Sequence, residues 1–251
     1  MSEDGARPAE RAVGGGEVTS PARYRAHPVL DSWSSGNPSL AVRLTYDSLR
    51  AVLAGAMRLY WHLEVVGREH VPDTGPFILA PVHRSYIDTP LVSVITRRRL
   101  RYMGKEGAWK YRFSGWFLSA MGGFPVNRGR ADREALKLCE AVLALGQPLV
   151  MFPEGTRKAG PVVEQIFDGP AFVACRTGAP IVPVGIGGSD AAMPAGAKLV
   201  YPARVRIVIG APIYPPERVE GRRVSRRPVR ELSERLRADL QDLYDEAQAP
   251  L

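Results

Sequence analysis

The chain has 251 residues, 45% of them hydrophobic and 24% charged, with 34 Lys and Arg against 26 Asp and Glu for a formal net charge of +8. That balance describes a globular protein with one sizeable core and excludes a disordered tail, a fibre or a disulfide-stapled miniature. The two cysteines, Cys139 and Cys175, each sit in an apolar helical stretch and read as reduced packing residues, so a CxxC zinc site is excluded.

Residues 1–36 are rich in Gly, Pro, Ala, Ser and charge without an apolar period, which predicts a flexible extension lacking the apolar stretch of a signal peptide. No run reaches the ~18 consecutive apolar residues of a spanning helix. Residues 37–62 hold a predicted amphipathic helix from Leu40 to Trp61, with Leu44, Leu49, Val52, Leu53, Met57, Tyr60 and Trp61 recurring at helical spacing. It can dock on the core or lie in a bilayer interface. Residues 63–251 then alternate short apolar runs with helical patterns, which predicts an α/β domain. Its strand candidates are Leu63 to Val66, Phe77 to Ala80, Leu100 to Met103, Leu149 to Phe152, Ile181 to Ile186 and Val205 to Ile209. Helices are expected from Ala131 to Leu145 and from Ala171 to Thr177, stopped by Gly146 and Gly178, with a docked C-terminal helix from Arg230 to Gln248. Between strands, Arg97, Arg98, Arg99, Arg101, Lys105, Lys110 and Arg112 interleave with Tyr102, Trp109, Tyr111, Phe113, Trp116 and Phe117. Such a mixture suits an anionic membrane surface, could stack nucleic-acid bases, or forms a solvated edge beside core aromatics.

The most informative stretch is Ala80-Pro81-Val82-His83-Arg84-Ser85-Tyr86-Ile87-Asp88, an apolar strand running into a polar turn and a helix pattern. On a continuous helix, five residues would set His83 and Asp88 about 140° apart, so they meet only if His83 lies in the turn. Ser85 as N-cap would start the helix after His83 and aim Asp88 back at the imidazole. A carboxylate on one ring nitrogen leaves the other free to take a proton, which is the arrangement of a general base. The plain alternative is an S-x-x-D capping pair beside an ordinary loop histidine. Three further blocks follow: Gly122-Gly123-Phe124-Pro125-Val126-Asn127-Arg128-Gly129, Phe152-Pro153-Glu154-Gly155-Thr156-Arg157, and Ala179-Pro180-Ile181-Val182-Pro183-Val184.

With these four blocks in this order, the sequence resembles the glycerophospholipid acyltransferases, particularly the 1-acylglycerol-3-phosphate O-acyltransferases, from about Leu63 to Ile209. The resemblance implies a single α/β acyltransferase domain with a mixed sheet flanked by helices, peripheral on the cytoplasmic face of the cell membrane. The implied reaction moves a fatty acyl group from acyl-CoA or acyl carrier protein to a lysophospholipid acceptor, giving phosphatidic acid in phospholipid biosynthesis. By resemblance His83 is the catalytic base and Asp88 its orienting carboxylate, while Arg128, Glu154, Gly155 and Arg157 bind the acceptor's glycerol phosphate and Lys105 is a further phosphate candidate. No cofactor beyond the donor thioester, no metal and no nucleic acid are implied. Pro183 reads as packing and acyl-channel wall.

Two positions depart from the family pattern. Lys158 stands where Ser commonly follows the third block, and Asp168 where a basic residue is frequent. Other acceptors therefore stay open: glycerol 3-phosphate, another lysophospholipid or a glycolipid. A basic membrane- or nucleic-acid-binding module without catalysis is the remaining alternative, although it has no need of His83, Asp88, Glu154 and Arg157 together. No G-x-S-x-G elbow occurs, so direct transfer is expected over an acyl-enzyme, with N–H groups after His83 as candidate oxyanion donors.

Overall fold

The computed structural model describes residues 40–105, 107, 110, 118, 122–126, 133–217 and 224–250. The N-terminal extension, Arg128, Arg112 and the aromatics Trp109, Tyr111, Phe113, Trp116 and Phe117 lie outside the described residues.

Seven strands form one sheet: β1 (Glu64–Val66), β2 (Ile78–Pro81), β3 (Arg101–Lys105), β4 (Gly123–Val126), β5 (Leu149–Val150), β6 (Ile181–Gly187) and β7 (Arg206–Ile209). Their spatial order is β1-β7-β6-β2-β5-β3-β4, and every neighbouring pair is parallel except β6 with β7. The sheet is therefore mixed, as expected of the α/β class. β2 and β6 are buried along their whole length, which is why they read as continuous apolar runs rather than as alternating ones. β4 was not among the strand candidates, because Gly-Phe-Pro-Val carries two poor strand formers. Among the described residues it pairs only with β3, and an edge position tolerates the missing donor of Pro125.

The helices are α1 (Leu40–Trp61), α2 (Asp88–Val92), α3 (Arg133–Ala144), α4 (Gly169–Thr177), α5 (Ser189–Ala192) and α6 (Arg226–Gln248). α4 stops at Gly178, whose left-handed φ of 77° lets its N–H return to the Ala174 carbonyl. α6 buries Leu232, Leu236 and Leu240, the stripe expected of a docked helix. It lies against β6 so closely that a Cβ on Gly185 or Gly187 would collide with the carbonyl oxygens of Leu243 and Ala247.

Two sequence expectations are modified. α1 sends Tyr46, Ala54, Met57 and Trp61 into the protein, but Leu44, Val52 and Leu59 stay exposed, so the helix has a second apolar face. The first part of the basic segment, Arg97 to Arg101, is less of a surface patch than its composition suggests. Arg98 donates to the carbonyls of Pro72, Gly75 and Gly146, Arg99 covers the Tyr46 ring, and Arg101 is buried. Burial, reinforced by the charge of Arg99, lowers the Arg101 guanidinium to about 10. Of Arg97, Arg98, Arg99 and Arg101, only Arg97 is exposed. A guanidinium fork can satisfy several loop carbonyls at once, and here it staples the connection before β3.

Candidate active site

Strand register assembles the site. β2 and β5 are parallel neighbours with Leu79 beside Val150, so His83 and Glu154, each four residues further on, leave the same end of the sheet side by side. β3 and β4 run the same way, which brings the backbone of Lys105 and Val126 to that end as well. Crevices at the carboxyl ends of parallel strands are where α/β sheets bind ligands. Arg128 follows two residues after β4 but lies outside the described residues.

His83 lies in the turn after β2, and its Nδ1 is 3.0 Å from Asp88 Oδ2. A carboxylate only accepts, so Nδ1 carries the proton and Nε2 is left as a base with no hydrogen-bond partner among the described residues. The same Asp88 oxygen accepts the N–H groups of Arg84 and Ser85, both at 2.7 Å. Asp88 is fully buried, whereas 16% of the His83 side chain reaches solvent. The His83 ring stacks on Phe152 with centroids 4.1 Å apart, which fixes the plane in which Nε2 points.

The capping geometry differs from the expected one. The helix begins at Asp88 with Ile87 as N-cap, and the Ser85 hydroxyl donates to the Met193 carbonyl instead of capping. Asp88 supplies only the returning half of a capping box, reaching back to the Ser85 N–H while it holds the imidazole. The N–H groups of Arg84 and Ser85 are consequently taken by Asp88 and are not free for an oxyanion.

Glu154 is buried, with both oxygens bonded to Arg84 Nη1 at 2.6 Å, and Oε2 also accepts the His83 N–H at 2.8 Å. Burial works to lower the Arg84 guanidinium, but its hydrogen bonds to Glu154 and the charge of that carboxylate, aided by Tyr244, carry it above its ordinary value. Arg84 also lies over the Tyr244 ring of α6 and donates to the Val162 carbonyl. The His83 carbonyl accepts the Lys158 N–H at 2.9 Å, so the histidine backbone is held at both polar groups. Sequence reading missed Arg84. A cation at the exit of a wholly apolar strand was the available signal, since such a charge is buried only with an acidic partner.

Gly155 has a φ of 68°, and a Cβ there would come within 2.6 Å of the Phe167 ring, so glycine is required by both backbone and neighbour. Arg157 is exposed, with its guanidinium carbon 3.2 Å above the Tyr86 ring centroid. The two departures from the family pattern are engaged within the protein: Lys158 Nζ pairs with Glu164, and Asp168 accepts the Ser233 hydroxyl of α6. Pro183 sits in β6 beside Ala80. Both cysteines are buried, and burial, reinforced by Glu140, pushes the Cys139 thiol up to about 12. No cluster of His, Cys, Asp or Glu able to hold a metal occurs among the described residues.

Fold and site together define an α/β protein that presents a His–carboxylate dyad at the carboxyl ends of its parallel strands. The acyltransferase family matches residues 62–187, half of the chain, and the chain belongs to that family. It is 29% identical over 160 residues to the chloroplast 1-acyl-sn-glycerol-3-phosphate acyltransferase BAT2 of Brassica napus, covering 62% of this chain and 46% of that one. To the 1-acyl-sn-glycerol-3-phosphate acyltransferase of Bacillus subtilis it is 26% identical over 153 residues, covering 61% and 74%. The matched region thus spans less than half of the plant relative. The fold is shared with the 1-acyl-sn-glycerophosphate acyltransferase PlsC from Thermotoga maritima, at a TM-score of 0.64 and 24% identity over 89% of both chains.

Proposed function

We propose that the protein transfers a fatty acyl group from an acyl thioester of coenzyme A or acyl carrier protein to the free hydroxyl of 1-acylglycerol 3-phosphate, giving phosphatidic acid. The observation that carries this reading is the His83–Asp88 dyad, with Nε2 unpartnered at the sheet's carboxyl end, in a chain whose relatives bear the name of this activity.

In this reading His83 Nε2 removes the proton from the acceptor hydroxyl as the oxygen attacks the thioester carbonyl. The tetrahedral intermediate collapses by breaking the carbon–sulfur bond, and the imidazolium returns its proton to the departing thiolate. Asp88 holds the productive tautomer and steadies the imidazolium, as in other His–carboxylate catalysts. The acceptor phosphate is gripped by Arg157, together with Arg128 and Lys105, because guanidinium forks match phosphate oxygens in pairs. Glu154 acts from behind, through the backbone of His83 and the charge of Arg84. The donor thioester supplies all the reactive chemistry, so no further cofactor enters.

The protein works as a peripheral protein on the cytoplasmic face of the cell membrane in this reading, because both substrate and product are lipids. The exposed Leu44, Val52 and Leu59 of α1, with Leu199 and Tyr201 beside the end of that helix, support contact with a bilayer. No described helix is long and apolar enough to cross a membrane.

Mass-spectrometric detection of phosphatidic acid tests the reading, with lysophosphatidic acid as acceptor and either acyl-CoA or acyl carrier protein as donor. Product with at least one donor is expected. Product only from glycerol 3-phosphate or an uncharged lysolipid would replace the acceptor, and none with any pair would remove the activity. Flotation with anionic vesicles tests the membrane contact, which Leu59→Asp and Leu199→Asp should weaken together.

A further inference from the structure

We infer that Tyr86 is a positioning residue for the acceptor's phosphate, acting as the platform that holds Arg157 ready to bind it; this rests on the proposed phosphate-bearing acceptor. An exposed arginine ordinarily samples many rotamers, and ordering its side chain to grip a ligand costs affinity. Arg157 is exposed, yet its guanidinium carbon lies 3.2 Å above the Tyr86 ring, a face-on contact that restricts the side chain before any ligand arrives. It makes no hydrogen bond or ion pair with another described residue, so the ring holds the face of the fork while its N–H groups stay available. On α6 the exposed Arg227 and Arg230 are instead held by carboxylates, Glu231 and Glu234.

The platform is anchored to the same turn as the base. Tyr86 is 57% exposed, but its neighbour Ser85 is fixed on both sides, by its N–H to Asp88 and its hydroxyl to the Met193 carbonyl. Arg157 is likewise followed by Lys158, whose N–H bonds the His83 carbonyl. The stack therefore bridges the loop carrying His83 and the loop carrying Glu154. It sets the distance between the phosphate grip and the imidazole, which is what an acceptor with its hydroxyl at a fixed separation from its phosphate requires.

A double-mutant cycle tests this. Tyr86→Leu and Tyr86→Phe are made in the natural chain and in Arg157→Ala, and two quantities are read: KM for lysophosphatidic acid and, by calorimetry, Kd for glycerol 3-phosphate. Tyr86→Leu should raise both about three- to tenfold with kcat changed less than twofold, the span of an exposed to partly desolvated cation–π contact. Tyr86→Phe, which keeps the ring face, should restore them, and in Arg157→Ala the Tyr86 substitutions should have no effect on either. Equal losses in both backgrounds would mean that Tyr86 touches the substrate itself, and no loss in either would mean that the stack orders nothing; both overturn the inference. If the natural chain fails to turn over lysophosphatidic acid while Kd still shows the coupling, the acceptor assignment falls and the platform stands.

Discussion

Glu154 holds His83 by its backbone: Oε2 accepts the His83 N–H at 2.8 Å while both carboxylate oxygens bond the guanidinium of Arg84. A buried carboxylate with its oxygens so engaged controls where the base stands. Replacing Glu154 with Gln removes the charge that Arg84 needs, and a buried cation without its partner costs about 3–5 kcal/mol. Urea unfolding should show that loss, and kcat should fall about 10–100-fold as the imidazole drifts, with KM for the acceptor little changed. The double variant Arg84→Met/Glu154→Leu discriminates further. It should recover much of the stability, since apolar residues can replace a buried pair, without recovering kcat, because the His83 N–H has lost its acceptor. Recovery of both would reduce the pair to a structural role.

Asp88 gathers three donors on one oxygen, the imidazole Nδ1–H and the N–H groups of Arg84 and Ser85. Asp88→Asn can keep the two backbone bonds but no longer favours the imidazole tautomer with its lone pair on Nε2. Turnover should drop about 10³–10⁴-fold, by the logic of His–carboxylate catalysts generally, while the urea midpoint moves much less. An equal collapse of both would mean that the carboxylate serves only the turn.

The fold was largely legible because its strands are apolar runs and its helices are periodic and punctuated by Gly146 and Gly178. What stayed hidden was set by tertiary pairing. β4 could not be read because Pro125 and Gly123 suit only an edge, and edge position is a property of the sheet. The site was legible as a set of blocks in order, and the parallel register of β2 with β5 explains why residues 71 positions apart meet. Arg84 was not legible as a partner of Glu154, because a one-dimensional pattern does not say which charges are buried together. The burial of Arg101 and the capture of three loop carbonyls by Arg98 were hidden for the same reason.

Two glycines separate kinds of steric demand. Gly185→Ala places a methyl against the α6 backbone at Leu243, where only a shift of the helix makes room, and should cost about 3 kcal/mol in urea unfolding. Gly155→Ala meets the exposed Phe167 ring, which can swing away, but keeps the cost of a left-handed backbone, about 1–2 kcal/mol. Adding Phe167→Ala should relieve only the steric part. A full rescue would show that the backbone conformation costs nothing.

Cys139 gives a pH signature. Its folded thiol titrates at about 12, against an ordinary value of 9.0. Between those values the unfolded chain has lost the proton that the folded chain keeps, so the thiol makes stability fall with rising pH, at up to about 1.4 kcal/mol per pH unit. Comparison of urea midpoints from pH 8 to 11 should show Cys139→Val losing less stability than the natural chain above pH 9. Parallel curves would contradict the burial of the thiol.

The base itself is tested most directly by thiol release from oleoyl-CoA or oleoyl acyl carrier protein in the presence of lysophosphatidic acid, for the natural chain and His83→Ala. Acceptor-dependent release that vanishes in His83→Ala, with its urea midpoint preserved, is the expected result. Release that persists at comparable rate in a folded His83→Ala would contradict general-base catalysis by the dyad.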